Sequence, residues 1–226
     1  MSVDIMDKRT RIKFCGFTRE EDVRAAVQGG ADALGMVFYA KSRRSVSVAQ
    51  ARQLREAVPA FVKVVALFVN PEPDYVQEVI DTVSPDMLQF HGDESPQDCE
   101  RYGKPYMKAF RVGGPDMETR QDVLAECRRF SSADVWLFDS YSAAYGGSGE
   151  GFDLSLLGDV LKADDARPWV LAGGLNPENV AEYIRKLRPF AVDVSSGIEE
   201  APGIKSVEKM AMFFEAVRGA DQHQLA

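Results

Sequence analysis

The stretch Trp169-Val170-Leu171-Ala172-Gly173-Gly174-Leu175-Asn176-Pro177, carried on by Val180, Tyr183, Ile184 and Leu187, holds one complete strand–turn–helix unit. Its first four residues form an apolar run of the kind a strand covered on both faces presents. Two glycines then break the run. Asn176-Pro177 places an N-cap residue before a proline at the first helical position. The apolar residues beyond are spaced i, i+3, i+4, i+7, which is one face of a helix.

The same unit recurs along the chain. Strand-like runs lie at Ile12–Cys15, Ala33–Phe38, Val62–Val69, Met87–Phe90, Tyr106–Phe110, Val135–Phe138, Trp169–Ala172 and Phe190–Val194. Between them lie helix signals. Thr18 with Glu21, and Ser47 with Gln50, have capping-box spacing. Ser95-Pro96 repeats the cap-then-proline pattern, and Asp153 is placed to cap a helix through Leu156 and Leu157. Val76, Val79, Ile80 and Val83 have helical spacing, as do Val207, Met210, Ala211 and Phe214 in a last helix. Eight strands, each followed by a helix, in 226 residues predict one α/β domain over residues 1–226, a (β/α)8 TIM barrel. Short flexible ends are expected at about 1–10 and 219–226. A doubly wound open sheet is the alternative, but it supplies no reason for eight regular units.

Composition narrows the class of function. Lys and Arg number 27 against 35 Asp and Glu, a net charge of −8. With no basic block, this argues against a nucleic-acid binder or an anionic-membrane binder. No apolar run reaches the ~18 residues of a membrane helix, and the first ten residues lack a signal-peptide core. Cys15, Cys99 and Cys127 are far apart and odd in number, which fits no disulfide framework. His91 and His223 are the two histidines, and no zinc-ligand set can be assembled. The expectation is a cytoplasmic protein with no metal.

In such a barrel, chemistry belongs at the C-terminal ends of the strands. The seventh and eighth strands end in Gly173-Gly174 and Ser195-Ser196-Gly197. Glycines there let backbone N–H groups approach an anion, and the loops after these two strands are the usual phosphate site of a barrel. Taken singly, each glycine pair reads equally as a tight turn. The glycine-rich loop 141–151 reads as a lid or as a plain connection. Cys15 ends the first strand and reads as packing or, at this end of a barrel, as chemistry. Asp139 ends the sixth. Desolvation by Trp136, Leu137 and Phe138 would raise its pKa and suit it to act as an acid; an Asx turn is the other reading. Arg44, with Lys41 and Arg43, follows the second strand, where a guanidinium could hold a carboxylate. His91 ends the fourth as an orienting hydrogen bonder or a rim histidine.

Taken in order, these segments resemble the phosphoribosylanthranilate isomerase family, from about Arg11 to Val217. The resemblance is carried by Lys13-Phe14-Cys15-Gly16-Phe17-Thr18, Gly30 to Phe38, Lys41-Ser42-Arg43-Arg44 and Leu67-Phe68-Val69-Asn70. It continues through Gln89-Phe90-His91-Gly92, Phe138-Asp139-Ser140, Tyr145 to Gly149, Leu171 to Pro177 and Val192 to Glu199. Arg43 stands where the family has Pro, Phe90 where Leu is usual and Glu150 where Lys is common.

The resemblance implies an Amadori rearrangement of N-(5-phosphoribosyl)anthranilate in tryptophan biosynthesis, with no cofactor. It implies Cys15 as general base and Asp139 as general acid, with Arg44 on the anthranilate carboxylate. Phosphate falls to Gly173, Gly174, Ser196 and Gly197, and substrate binding to Gln89, His91 and Asp193. The expected partner is a small phosphosugar, and the expected state is a monomer or homodimer. Another phosphosugar barrel would be expected to use an Asp pair or a Lys base, and a non-catalytic barrel would lack the acid or the base. Lys13, two residues before Cys15 and on the same face, is expected to lower the thiol's pKa.

Overall fold

The computed structural model describes residues 9–140 and 153–222. Eight parallel strands close into a barrel in chain order: β1 Arg11–Cys15, β2 Ala33–Val37, β3 Lys63–Phe68, β4 Met87–Phe90, β5 Tyr106–Val112, β6 Val135–Ser140, β7 Trp169–Leu171 and β8 Ala191–Val194. β8 pairs back onto β1, with Lys13 opposite Asp193. Closure leaves no free sheet edge, and each strand alternates between an inner and an outer face.

That alternation assigns every strand residue a role. On β1, Ile12 and Phe14 face outward, and the Phe14 ring meets Phe213 and Phe214 at 5.6 and 4.9 Å. Lys13 and Cys15 face inward. On β6, Trp136 and Phe138 belong to the outer core beneath the helices, and Trp136 Nε1 donates to Phe130 O at 3.1 Å. Val135 and Leu137 fill the barrel with Met107, Ala109, Val170, Ala172 and Ala191. Cys15, Val37, Leu67 and Val69 form a second inner layer toward the strand C-termini.

The connecting helices are α1 Glu20–Gly29, α2 Val48–Glu56, α3 Pro73–Val83, α4 Pro96–Glu100, α5 Arg120–Arg129, α6 Val180–Leu187 and α7 Val207–Gln222. Ser47 and Ser95 cap α2 and α4 as their sequence predicts. Thr119 and Asp122 add a capping box on α5.

Other local expectations are overturned by competing tertiary partners. Thr18 does not cap α1, because its hydroxyl donates to Gly203 O at 2.5 Å and Arg19 pairs with Asp22 instead. The Gln50 amide leaves its own helix end and donates to Thr18 O. Asn176 caps a turn, accepting from Glu178 and Asn179 N, and α6 starts only at Val180. Among the described residues β6 is followed by two 3-10 turns, Leu154–Leu157 and Val160–Lys162, rather than a full helix. In α7 the buried stripe is Met210, Phe213, Phe214 and Val217, while Val207 and Ala211 face solvent.

The two ends of the described residues meet each other. α7 runs to Gln222, and Asp221 accepts from Thr10 N and Thr10 Oγ1, both at 2.8 Å. Beyond β8, β9 Glu199–Ala201 and β10 Ile204–Lys205 form a small antiparallel hairpin near the ends of β1 and β8. No helix among the described residues is long and apolar enough to cross a membrane.

Candidate active site

A pocket of about 620 Å³ opens at the C-terminal end of the barrel. Cys15, Arg44, Gln89, His91, Asp139, Gly173, Gly174, Asp193 and Ser196 all line it. Seven of the eight strands, with the loops that follow them, bring together residues up to 187 positions apart in the chain, because parallel strands deliver their C-terminal residues to one rim. The loop 141–151, with Glu150, and His223 lie outside the described residues.

Cys15 sits on the wall between β2 and β8. Gly35 is its partner on β2, and a Cβ on Gly35 would lie 2.6 Å from Cys15 Sγ. Lys13, on the same inner face, donates to Asp193 Oδ2 at 2.8 Å, with both side chains buried. Asp193 Oδ1 is buried and has no hydrogen-bond partner among the described residues. Burial pushes the Cys15 thiol upward, and Lys13 pulls against it. Burial prevails, with Asp193 adding to it, so Lys13 does not bring the thiol below its ordinary value as expected. Asp193 and Cys15 keep Lys13 protonated despite its burial.

Asp139 ends the inner face of β6, separated from β1 by β7 and β8. Trp136 and Phe138 do not enclose it, since side chains one residue away on a strand point to the opposite face. Its immediate surroundings are Leu137 on its own face, the Ser140 N–H, which donates to Oδ1 at 2.8 Å, and His91. His91 Nε2 stands 3.3 Å from Asp139 Oδ2, close but not aligned as a hydrogen bond. The other ring nitrogen of His91 lies 3.4 Å from the Gln89 amide nitrogen. With that amide as donor, the imidazole proton falls on Nε2, toward the carboxylate. Gln89 Oε1 is buried without a partner among the described residues.

Arg44 is held as a fork. Its Nε and Nη2 donate to the two carboxylate oxygens of Glu199 at 2.8 and 2.7 Å. The stem of Arg44 lies over Gly16, whose φ is +84° and whose absent Cβ would meet Arg44 Cδ at 2.5 Å. Arg43, in the family's proline position, does not open this loop. Ser42 N bonds Tyr39 O, Arg44 N bonds Ser42 Oγ, and Val46 N bonds Val37 O.

The side of the pocket where the sequence places phosphate is built from backbone. Gly173 and Gly174 have φ of +82° and +65°, conformations that favour glycine, and both line the pocket after β7. Asn179 braces this turn, donating to Gly174 O at 2.9 Å and accepting from Asn176 N. Ser196 opens a short 3-10 turn after β8 on the same side of the pocket. Gly197 alone among the expected site residues does not line the pocket. It lies against the β7 loop, where a Cβ would be 2.0 Å from Leu175 O.

Two supports escaped the sequence reading. Lys205, completely buried, donates to Cys15 O, Ser195 O and Glu199 Oε1. Lys108 and Glu94 form a second buried pair at 2.9 Å; Lys108 also bonds Gly92 O, and Glu94 accepts from Asn70 N. Neither lysine stands in a motif, so no local signal marks it. No cluster of three or more metal-ligating side chains occurs among the described residues.

The family model described as N-(5'-phosphoribosyl)anthranilate (PRA) isomerase matches residues 12–216. The chain belongs to this isomerase family. It is 58% identical over 214 residues to the N-(5'-phosphoribosyl)anthranilate isomerase of Bordetella bronchiseptica, covering 95% of this chain and 98% of the relative. The crystal structure of phosphoribosyl anthranilate isomerase from Thermotoga maritima superposes with a TM-score of 0.83 at 39% identity, covering 93% of this chain and 99% of the other. A further family crystal structure has a TM-score of 0.80 at 37% identity over the same shares of both chains. That one is a complex with reduced 1-(o-carboxyphenylamino)-1-deoxyribulose 5-phosphate. The barrel fold and the family expected from the eight strand ends therefore both hold.

Proposed function

We propose that this chain isomerises N-(5'-phosphoribosyl)anthranilate to 1-(o-carboxyphenylamino)-1-deoxyribulose 5-phosphate, a step of tryptophan biosynthesis. What carries this reading is one pocket that holds a thiol and a carboxyl on different strand ends, beside two glycine-rich loops, in a chain of this family. The reaction needs an acid to open the sugar ring and a base to take the C2 proton, and these are the two groups present.

Asp139, in its acid form, delivers a proton to the ring oxygen. The C1–O bond breaks, and the nitrogen lone pair forms an iminium at C1. That cation acidifies C2. The Cys15 thiolate removes the C2 proton, and the electron pair moves onto nitrogen to give an enolamine. Tautomerisation to the ketone completes the isomerisation, with the substrate's own nitrogen as electron sink. Burial holds Cys15 largely as a thiol at rest, and Lys13 is the charge that most favours its ionised form, ahead of Lys205.

Arg44 receives the anthranilate carboxylate through the Nη1 side of a guanidinium already steadied by Glu199. Asp193 and Gln89 have buried oxygens without partners among the described residues, suited to sugar hydroxyls, and His91 orients Asp139. Gly173, Gly174 and Ser196 supply N–H groups to the phosphate, with Gly197 joining the two loops behind them. All three cysteines are free thiols, which supports work in a reducing cytoplasm. The net charge of −8 favours a small anionic substrate drawn by local cations over nucleic acid.

The test is a fluorescence assay of phosphoribosylanthranilate consumption by the purified protein. Loss of the anthranilate signal that depends on enzyme concentration supports the reading. No loss at micromolar protein refutes it.

A further inference from the structure

Lys205 is the terminal residue of β10, and its side chain has no solvent exposure. An ammonium has three N–H donors, and, beside a longer contact to Ser195 Oγ at 3.5 Å, three acceptors meet this one within 3.2 Å. They are Cys15 O at 2.5 Å, Glu199 Oε1 at 2.8 Å and Ser195 O at 3.2 Å. These belong to the end of β1, the hairpin strand β9 and the loop after β8. Ser195 Oγ closes the same group by donating to Cys15 O at 2.9 Å. From the other side, Glu199 grips Arg44 with both oxygens. One buried cation thus touches the peptide of the thiol residue directly and reaches the guanidinium through a single carboxylate.

The charges also decide something. Arg44 and Glu199 alone would make a neutral pair, with no net pull on an incoming carboxylate. Lys205 returns the cluster to a net charge of +1. Burial, with Arg44 adding to it, outweighs Glu199 and holds the Lys205 ammonium below the ordinary lysine value, while Arg44 and Lys205 together hold Glu199 ionised against its own burial. The ring of Phe17 lies 5.7 Å from the ammonium.

We propose that Lys205, acting through Glu199, is a positioning residue for both ends of the reaction: it fixes the backbone that carries Cys15, and it aims a net-positive Arg44 at the substrate carboxylate. This rests on the roles proposed above for Cys15 and Arg44.

The experiment compares wild type, Lys205→Met, Glu199→Gln and Arg44→Ala in binding two probes. One is the reduced product with its carboxylate, and the other is the same phosphosugar carrying aniline instead of anthranilate. Lys205→Met is expected to lose at least tenfold in affinity for the first and less than threefold for the second, with kcat also falling at least tenfold. Its Cys15 is expected to react with iodoacetamide at a higher pH midpoint, the site being read by mass spectrometry.

Equal loss for both probes, or wild-type values throughout, overturns the proposal. If Lys205→Met does not fold, Glu199→Gln decides. Selective loss of the carboxylate probe in that variant supports the aiming of Arg44, and its absence overturns it. Arg44→Ala separates the two levels of the argument. If it fails to discriminate between the probes, the role of Arg44 itself is wrong, and the alkylation midpoint still tests what Lys205 does for Cys15.

Discussion

Gly35 faces Cys15 across the β1–β2 pair so closely that any Cβ would fall 2.6 Å from the thiol sulfur and 3.1 Å from Cys15 Cα. The thiol occupies space that every other residue type at position 35 would fill. Gly35→Ala therefore forces Cys15 to turn or β1 to shift. A displacement near 1 Å at a reacting group costs on the order of 100-fold in rate. We expect kcat to fall by that order, with circular dichroism unchanged. A variant with wild-type kcat would show that the thiol position is not critical.

Cys15→Ser and Asp139→Asn should each remove most turnover, by about 10²- to 10⁴-fold, while product-analogue affinity stays within about tenfold. A serine hydroxyl is too weak a base at neutral pH, and an amide has no acidic proton to deliver. Steady-state kinetics paired with calorimetric binding checks this. Retained turnover in either variant reassigns that role.

Arg44→Ala should raise KM more than it lowers kcat. Losing a charge-assisted hydrogen bond to the carboxylate costs roughly 2 kcal/mol, or about thirtyfold in binding. Glu199 keeps Lys205 as its partner, so the fold should survive. If neither constant moves, the carboxylate binds elsewhere.

Alkaline pH should weaken the fold partly through Cys99, whose thiol burial pushes from 9.0 up to about 12. The raised value means that the unfolded chain loses this proton first. The stabilisation from keeping the thiol neutral is complete below pH 9.0 and disappears as pH climbs toward about 12. Urea midpoints from pH 7 to 11 should fall less steeply in Cys99→Ala than in wild type. Parallel curves would mean that another group governs the alkaline limb.

Lys108→Met leaves Glu94 charged and buried without its cation, although Asn70 N and Gly92 N still donate to it. Breaking a buried pair from one side costs about 3 kcal/mol or more. Urea unfolding should register that loss, and adding Glu94→Gln to the same chain should recover part of it. A single variant as stable as wild type would place the pair in water.

Much of the site is legible in the sequence because a barrel turns one-dimensional order into a ring. Cys15, Asp139 and Gly173 each end an apolar run, and ending a run is a local property. The outward-facing Trp136 and Phe138 show the limit of reading neighbours as surroundings. They adjoin Asp139 in the chain, but the strand period of two turns them to the helices. Thr18 shows the same limit for caps, since a carbonyl from the hairpin outbids its own helix.

The eight strand runs, the glycine turns and the family were determined by the sequence, because periodicity and turn chemistry act between residues close in the chain. The partners of the charged groups were decided only by tertiary structure. Lys13 meets Asp193 across 180 positions, and Lys205 meets the Cys15 carbonyl across 190. Such pairs have no spacing to read. They form because burial makes an unpaired charge or carbonyl costly, and only the closed barrel brings a partner within 3 Å of each.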